Sequence, residues 1–196
     1  MVAIPWIRGK EARVEERYPD PDVTDRRHGS QFFYHSHRHG ALEHGHVHLF
    51  CHATASGKRR YVSRERNSWQ RTAPSHLFGI SLDNRGLPIG LFTVNRWVTD
   101  GYWFDAATTL EMVRRFRVVV GGEHDVSSEW LTGFVGMYLP LVDRLLQRRD
   151  AILRKAVGAL SMAELLEDHQ HEVLSTIRID WLRDIESLES ELARRA

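Results

Sequence analysis

One stretch of this sequence concentrates a residue type and a spacing suited to metal chemistry. Residues 33–52 read FYHSHRHGALEHGHVHLFCH and contain seven of the chain's 12 histidines. Side chains alternate between the two faces of a β-strand, so every second residue of EHGHVHLFCH is predicted to share a face. The histidines on that predicted face are His44, His46, His48 and His52. The opposite face would carry Gly45, Val47, Leu49 and Cys51.

A second strand is predicted just before this one, in QFFYHSH. Alternation there sends Phe33, His35 and His37 to one side. If RHGALEHG joins the two strands as an antiparallel hairpin, His35 and His37 come to lie across from His46 and His48. The sequence therefore predicts a patch of four imidazoles as the core of a metal site.

Neutral imidazole binds zinc, iron, manganese, nickel and copper, so the sequence indicates a divalent transition metal without choosing among these. Glu43 could complete a site of two histidines and one carboxylate, and His44 is a further candidate ligand. His76, which begins the segment HLFGISL, could be a ligand or a general base. Two alternatives stay open: a solvated histidine-rich segment that binds ions weakly, and histidines that stabilise a polar barrel interior by hydrogen bonds.

The elements that would position these histidines belong to a β-rich part of the chain, residues 31–104. Short apolar and aromatic runs separated by turn residues predict six strands with short connections, which favours an antiparallel sheet. The clearest hairpin turn lies in LDNRGLPIG. The predicted strands span residues 31–37, 45–53, 59–65, 75–83, 89–97 and 101–104.

The rest of the chain is predicted to frame this sheet. Residues 1–30 are charged and contain prolines, which indicates a surface lead-in with little secondary structure. Residues 105–196 are expected to be mainly helical, with Asp105 as one N-cap, Ser127 or Ser128 as another, and a bend near Pro140. Residues 172–180 could form a helix or a strand. We therefore expect one α+β domain over 1–196, an antiparallel sheet or partial barrel with C-terminal helices packed on it.

The composition narrows the class of protein further. The 196 residues include 27 Lys and Arg against 26 Asp and Glu, and a net charge of +1 gives no general reason to expect nucleic acid or an anionic membrane as a partner. No secretory signal or membrane-spanning apolar run is evident. The single cysteine, Cys51, excludes an intramolecular disulfide and fits a reducing compartment, so a cytoplasmic location is expected.

Other residues offer weaker chemical signals. Asn95 and Arg96 could line the histidine pocket and bind a substrate, while Trp97 and Trp103 are expected to be core residues. The basic segment 57–71 could bind an anion, although a solvated loop explains it better. The charge-separated C-terminal segments are compatible with pairing between helices or across a homodimer.

Two resemblances follow from particular motifs. HSHRHGALE, with His35, His37 and Glu43, resembles the first half of the cupin metal motif, but in LPIGLFTVN the residue Thr93 stands where cupins have a histidine. SQFFYHSH, EHGHVHLF and HEVLSTIRID resemble a family of uncharacterised bacterial proteins, a domain of unknown function, and this resemblance implies one unit from about Tyr18 to Leu188.

The function predicted from the sequence is metal binding through the strand-borne histidines, extending to metal-dependent catalysis on a small molecule. The alternative is a non-enzymatic module that binds a small molecule or a protein, with a structural or pH-sensitive histidine patch.

Overall fold

A computed structural model describes residues 16–36, 43–52, 74–158 and 160–195 of the chain. Six strands in these ranges form one open antiparallel sheet, and their order in the sheet is their order in the sequence. The fold is α+β, as the sequence predicts. The strands are β1 (Arg17–Asp25), β2 (Ser30–Ser36), β3 (Gly45–Cys51), β4 (Ser75–Leu82), β5 (Pro88–Val94) and β6 (Val173–Arg178).

The helices follow β5 in the sequence. The long helix α3 and the shorter α2 pack on one face of the sheet, where alternate strand residues such as Phe32, Val47 and Leu49 join the main hydrophobic core. Leu131 and Val142 of α3 are buried in the same core. The helices are α1 (Arg96–Thr99), α2 (Ala106–Arg115), α3 (Asp125–Ala156), α4 (Met162–Leu166) and α5 (Trp181–Arg195), with a short 3₁₀ turn at Gly122–His124.

The start of the chain differs from the predicted lead-in, because β1 pairs with β2 along residues 17–25. Its two prolines and its charges suggested a loop. The strand lies at one edge of the described sheet, however, and an edge strand tolerates residues that cannot donate a ladder hydrogen bond. A break in register between Tyr18 and Val23 accommodates Pro19 and Pro21.

The end of the predicted β-rich part also needs correction. The strand predicted over 89–97 ends at Val94, because Asn95 caps α1 by accepting a hydrogen bond from the backbone N–H of Arg96. Residues 101–104 form no strand, although Trp103 and Phe104 are buried. The strand predicted over 59–65 lies outside the described residues. Residues 172–180, for which the sequence allowed either a helix or a strand, contain β6, which pairs with β5.

The helical part begins as predicted and then departs in one detail. Asp105 caps α2 by accepting a hydrogen bond from the Thr108 N–H at 2.8 Å. The prediction that Ser127 or Ser128 caps α3 is wrong, because the helix begins earlier, at Asp125, and buries both serines in its first turn. The helix continues through Pro140, which has no backbone N–H to donate. The carbonyl that would have accepted this hydrogen bond belongs to Gly136, which lies at the exposed surface.

No helix among the described residues is both long enough and apolar enough to cross a membrane.

Candidate metal centre

Three histidines from two neighbouring strands converge on the sheet face opposite the helices. The register of β2 and β3 sets His35 directly across from His46, and His48 lies two residues further along β3. One ring nitrogen from each of the three lies within 4.8 Å of the other two. The hairpin predicted from the sequence therefore brings His35 and His46 together, while the residue across from His48 is Phe33.

Glu43 orients the His46 ring. The Nδ1 of His46 lies 2.7 Å from Oε1 of Glu43, a distance at which an Nδ1–H donates to the carboxylate. With Nδ1 engaged in this way, Nε2 is the nitrogen suited to a metal, and the carboxylate raises its basicity. Glu43 thus lies behind a candidate ligand rather than among the three converging nitrogens.

His76 stands in a similar relation to His48. The Nδ1 of His48 and the Nε2 of His76 are 2.9 Å apart and share a hydrogen bond. Burial, followed by the neighbouring His76 and His46 rings, holds the pKa of His48 well below its usual value. Burial, with a smaller contribution from Arg149, lowers the pKa of His76 to about 3. Both imidazoles are therefore neutral at pH 7, which is the form that binds metals.

The converging rings form part of the wall of a cavity of about 590 Å³. This volume lies within the range of sites that hold small molecules. The described residues that line it are Arg17, Asp22, Gln31, Phe33, His35, Glu43, His46, His48, Phe50, Pro74, Ser81, Phe92, Val94, Val98, Thr99, Glu172, Val173 and Thr176.

Aromatic side chains hold the imidazoles in place. Phe92 makes edge contacts with both His46 and His48, at centroid distances of 5.0 and 5.6 Å. Its ring occupies the space over Gly79, where any Cβ would overlap it. Phe33 packs on His48 from the other side, at 5.1 Å. A glycine on β4 therefore makes room for the ring that braces two candidate ligands.

Of the other predicted ligands, one is not described and one lies away from the trio. His37 lies outside the described residues. His44 precedes β3, and its Nδ1 lies 2.5 Å from the hydroxyl of Tyr34, which belongs to the core on the helix side of the sheet. Burial raises the pKa of Tyr34 to about 12, so its phenol stays protonated and shares a hydrogen bond with His44. The prediction that His44 shares a face with His46 and His48 is wrong, since the alternation begins only at Gly45.

Asn95 and Arg96 are not among the described lining residues of the cavity. The fully buried Asn95 donates from its side-chain amide to the Leu165 carbonyl at 2.9 Å, which ties the end of β5 to α4. Arg96 forms ion pairs with Asp100 and Glu167. Both side chains thus have structural partners, and the substrate-binding role predicted for them stays a prediction.

Several residues that line the cavity lie where the sequence predicted no site. Arg17 lay in the supposed lead-in, so its place beside His35 across β1 and β2 could not be anticipated. Phe92 could have been found by extending the strand alternation through PIGLFTV. Glu172 and Thr176 reach the cavity through the pairing of β6 with β5, a contact between segments far apart in the sequence.

These features define an α+β protein with helices on one face of an open sheet and a histidine-lined cavity on the other. The chain belongs to the family described as a domain of unknown function, DUF6969, whose family model matches residues 2–179. That range contains every described residue that lines the cavity. No curated protein and no solved structure matches the chain.

Proposed function

We propose that this protein binds one divalent transition metal through His35, His46 and His48 and uses it to act on a small molecule in the adjoining cavity. The observation that carries the proposal is the convergence of three imidazoles from paired strands at the wall of a cavity of ligand size. Rigid strands hold ligands with less freedom than loops would, which suits a metal site.

The spacing of the three nitrogens is close to what a metal requires. Two nitrogens at about 2.1 Å from a tetrahedral zinc are about 3.4 Å apart, against the 4.8 Å that bounds the trio here. Small side-chain rotations toward a common point would close this gap. The hydrogen bond that His46 donates to Glu43 and the one shared by His48 and His76 support the proposal, because metal-binding histidines commonly use their second nitrogen in this way.

Three nitrogen ligands leave coordination positions open, which is the arrangement of catalytic rather than structural zinc sites. Such a metal acts as a Lewis acid or activates water, and iron would add dioxygen chemistry. Nitrogen ligands fit zinc, iron, manganese, nickel and copper, so the metal is to be identified by measurement.

Metal analysis of protein purified without a polyhistidine tag tests the proposal. We expect about one metal per chain after reconstitution with zinc, and loss of that metal in His46→Asn and His48→Asn. His171→Asn is the matched control, because His171 is exposed and bonded to Asp168 rather than to the cavity. Less than about 0.2 metal per chain in the reconstituted wild type would refute metal binding.

A second candidate is a non-enzymatic module that binds a small molecule against a metal-free imidazole wall. The packing of Phe33 and Phe92 on His46 and His48 favours it, since these imidazoles also serve as packed side chains of the cavity wall. This candidate predicts that a cavity ligand binds equally well before and after treatment with a chelator. The metal proposal predicts that chelation abolishes binding.

A further inference from the structure

The two ends of the cavity differ in chemistry. Near β1 and β2 it is lined by Arg17, Asp22 and Gln31, whereas near β5 and β6 three valines, Val94, Val98 and Val173, lie beside Thr99, Glu172 and Thr176. The converging histidines lie between these ends, on β2 and β3. A ligand that spans the cavity would therefore meet a polar end, then the proposed metal, and then the three valines that make the other end the more apolar one.

Arg17 is the feature of the polar end that selects for an anion. Its guanidinium lies 4.6 Å from the centre of the Phe33 ring, and Phe33 in turn packs on His48. Within the described part of the chain, the side chain of Arg17 forms no hydrogen bond or ion pair at contact distance. A guanidinium stacked on an aromatic ring keeps its N–H groups directed outward around its edge, where they can bind a carboxylate.

The neighbouring carboxylates have hydrogen-bond partners of their own, although the charge of Arg17 also acts on Asp22. Asp22 accepts a hydrogen bond from Gln31 at 2.7 Å, and Glu43 is bonded to His46. Glu172 lies at the opposite, apolar end, where its charge would repel an anionic group. The charges thus favour one orientation for an anion, with its head toward Arg17.

We infer that the ligand of this cavity is a monocarboxylate with an apolar tail, its carboxylate held between the trio-bound metal and Arg17 and its tail lying over Phe92 toward Val94, Val98 and Val173. This inference rests on the proposed function. Phosphate esters fit less well, because Arg17 is the one Arg or Lys among the described lining residues.

The width of the sheet sets the length of the tail. Strands β3 and β5 are two strand spacings apart, about 10 Å, which an extended chain of roughly six to eight carbons covers. The cavity of about 590 Å³ has room for such a chain. Hexanoate and octanoate should therefore bind more tightly than acetate, by about fourfold for each buried methylene.

The test uses full-length protein loaded with Co²⁺, whose visible absorption bands report the ligands of the metal directly. Sodium acetate, hexanoate and octanoate are titrated, with 1-hexanol and hexylamine as neutral and cationic comparisons. We expect saturable band shifts with the carboxylates, tightening from acetate to octanoate, and weaker or no shifts with the alcohol and the amine.

Two variants test separately the binding of the carboxylate head and the binding of the apolar tail. Arg17→Gln should weaken the binding of every carboxylate about tenfold while leaving the cobalt content unchanged. Arg26→Gln, in the exposed β1–β2 turn, is the control and should change neither. Val173→Ser, at an exposed position that tolerates substitution, should weaken the binding of octanoate but not that of acetate. Val119→Ser, equally exposed and outside the lining, is its control.

Each outcome decides between the two proposals. Absence of cobalt bands before any carboxylate is added would overturn the metal site and this inference with it. Normal cobalt bands that do not respond to carboxylates, or that respond equally to hexylamine, would overturn this inference alone. Equal affinity for acetate and octanoate would overturn the assignment of the apolar end.

Discussion

On the helix-covered face of the sheet, buried polar side chains end in hydrogen bonds to distant parts of the fold, whereas on the cavity face imidazoles point at one another. Thr93 and Ser175 share a hydrogen bond of 2.7 Å, and Ser175 donates onward to the Leu145 carbonyl of α3. Across the sheet, His35, His46 and His48 converge on one another, and His46 and His48 also share hydrogen bonds with Glu43 and His76.

One strand of this sheet contributes both to the packed core and to the cavity wall. Successive residues of β3 alternate between the two: Val47 and Leu49 are completely buried in the core, while His46 and His48 line the cavity. Changes to neighbouring residues should therefore have separate consequences, with stability lost on one face and ligand binding on the other.

The largest expected effect on stability comes from Leu49→Ala. Removing this buried side chain from the helix-covered face should lower the free energy of unfolding by about 3 kcal/mol, measured by urea denaturation. Metal bound per folded chain should stay at the wild-type value, because the His48 ring beside it points the other way. Loss of metal from fully folded L49A protein would show that the two faces are coupled.

Asp25→Asn should have the next largest effect. Burial would raise the pKa of Asp25, but hydrogen bonds from His28 and from backbone N–H groups outweigh it, so the pKa lies below its usual value. The carboxylate joins the β1–β2 turn to residue 119 through a 2.8 Å bond from the Val119 N–H. Replacing it should cost about 2 kcal/mol at pH 7.

The pH dependence of that loss has a definite sign. Since the folded pKa of Asp25 is the lower one, its contribution is complete above the unfolded value of about 4 and disappears as the pH falls through the folded value. Asp22, on the cavity face, shows the opposite: burial raises its pKa. Asp25→Asn should flatten the loss of stability below pH 4 in denaturant titrations, whereas Asp22→Asn should not. A parallel response of the two variants would contradict this assignment.

The difference between the faces also explains what the sequence could predict. Alternation within GHVHLFC was enough to separate His46 and His48 from the core, and the short loop before it indicated the pairing that brings His35 close. Local patterns sufficed because neighbouring strands are paired in chain order.

What the sequence could not predict depends on contacts between distant segments. Strand β1 became visible only through its pairing with β2, since its prolines and charges are typical of a loop. The orientation of His44 depends on Tyr34, and the role of Asn95 depends on a carbonyl 70 residues away in the sequence. The aromatic run 102–104 predicts a strand from its apolar character. That character reflects burial and not strand pairing.

On the cavity face, Glu43→Gln should weaken metal binding by about 10- to 100-fold without unfolding the protein. An amide can still accept a hydrogen bond from His46, but it supplies no negative charge to strengthen the opposite ring nitrogen as a ligand. Competition with a coloured zinc chelator gives the affinity, and thermal melts of the metal-free protein give the control. An unchanged affinity would place Glu43 outside the function of the site.

The smallest predicted effect comes from removing one hydroxyl group on each face of the sheet. Thr93→Val keeps the shape of a fully buried side chain but removes its bond to Ser175, and should cost about 1 kcal/mol. Ser81→Ala removes a hydroxyl from the cavity face, where no hydrogen bond among the described residues uses it, and should change the free energy of unfolding by less than about 0.5 kcal/mol. Equal losses in urea denaturation would mean that hydroxyls on the two faces contribute alike. A loss confined to T93V would show that this hydroxyl of the helix-covered face helps to hold the fold together, whereas the Ser81 hydroxyl on the cavity face is available for binding.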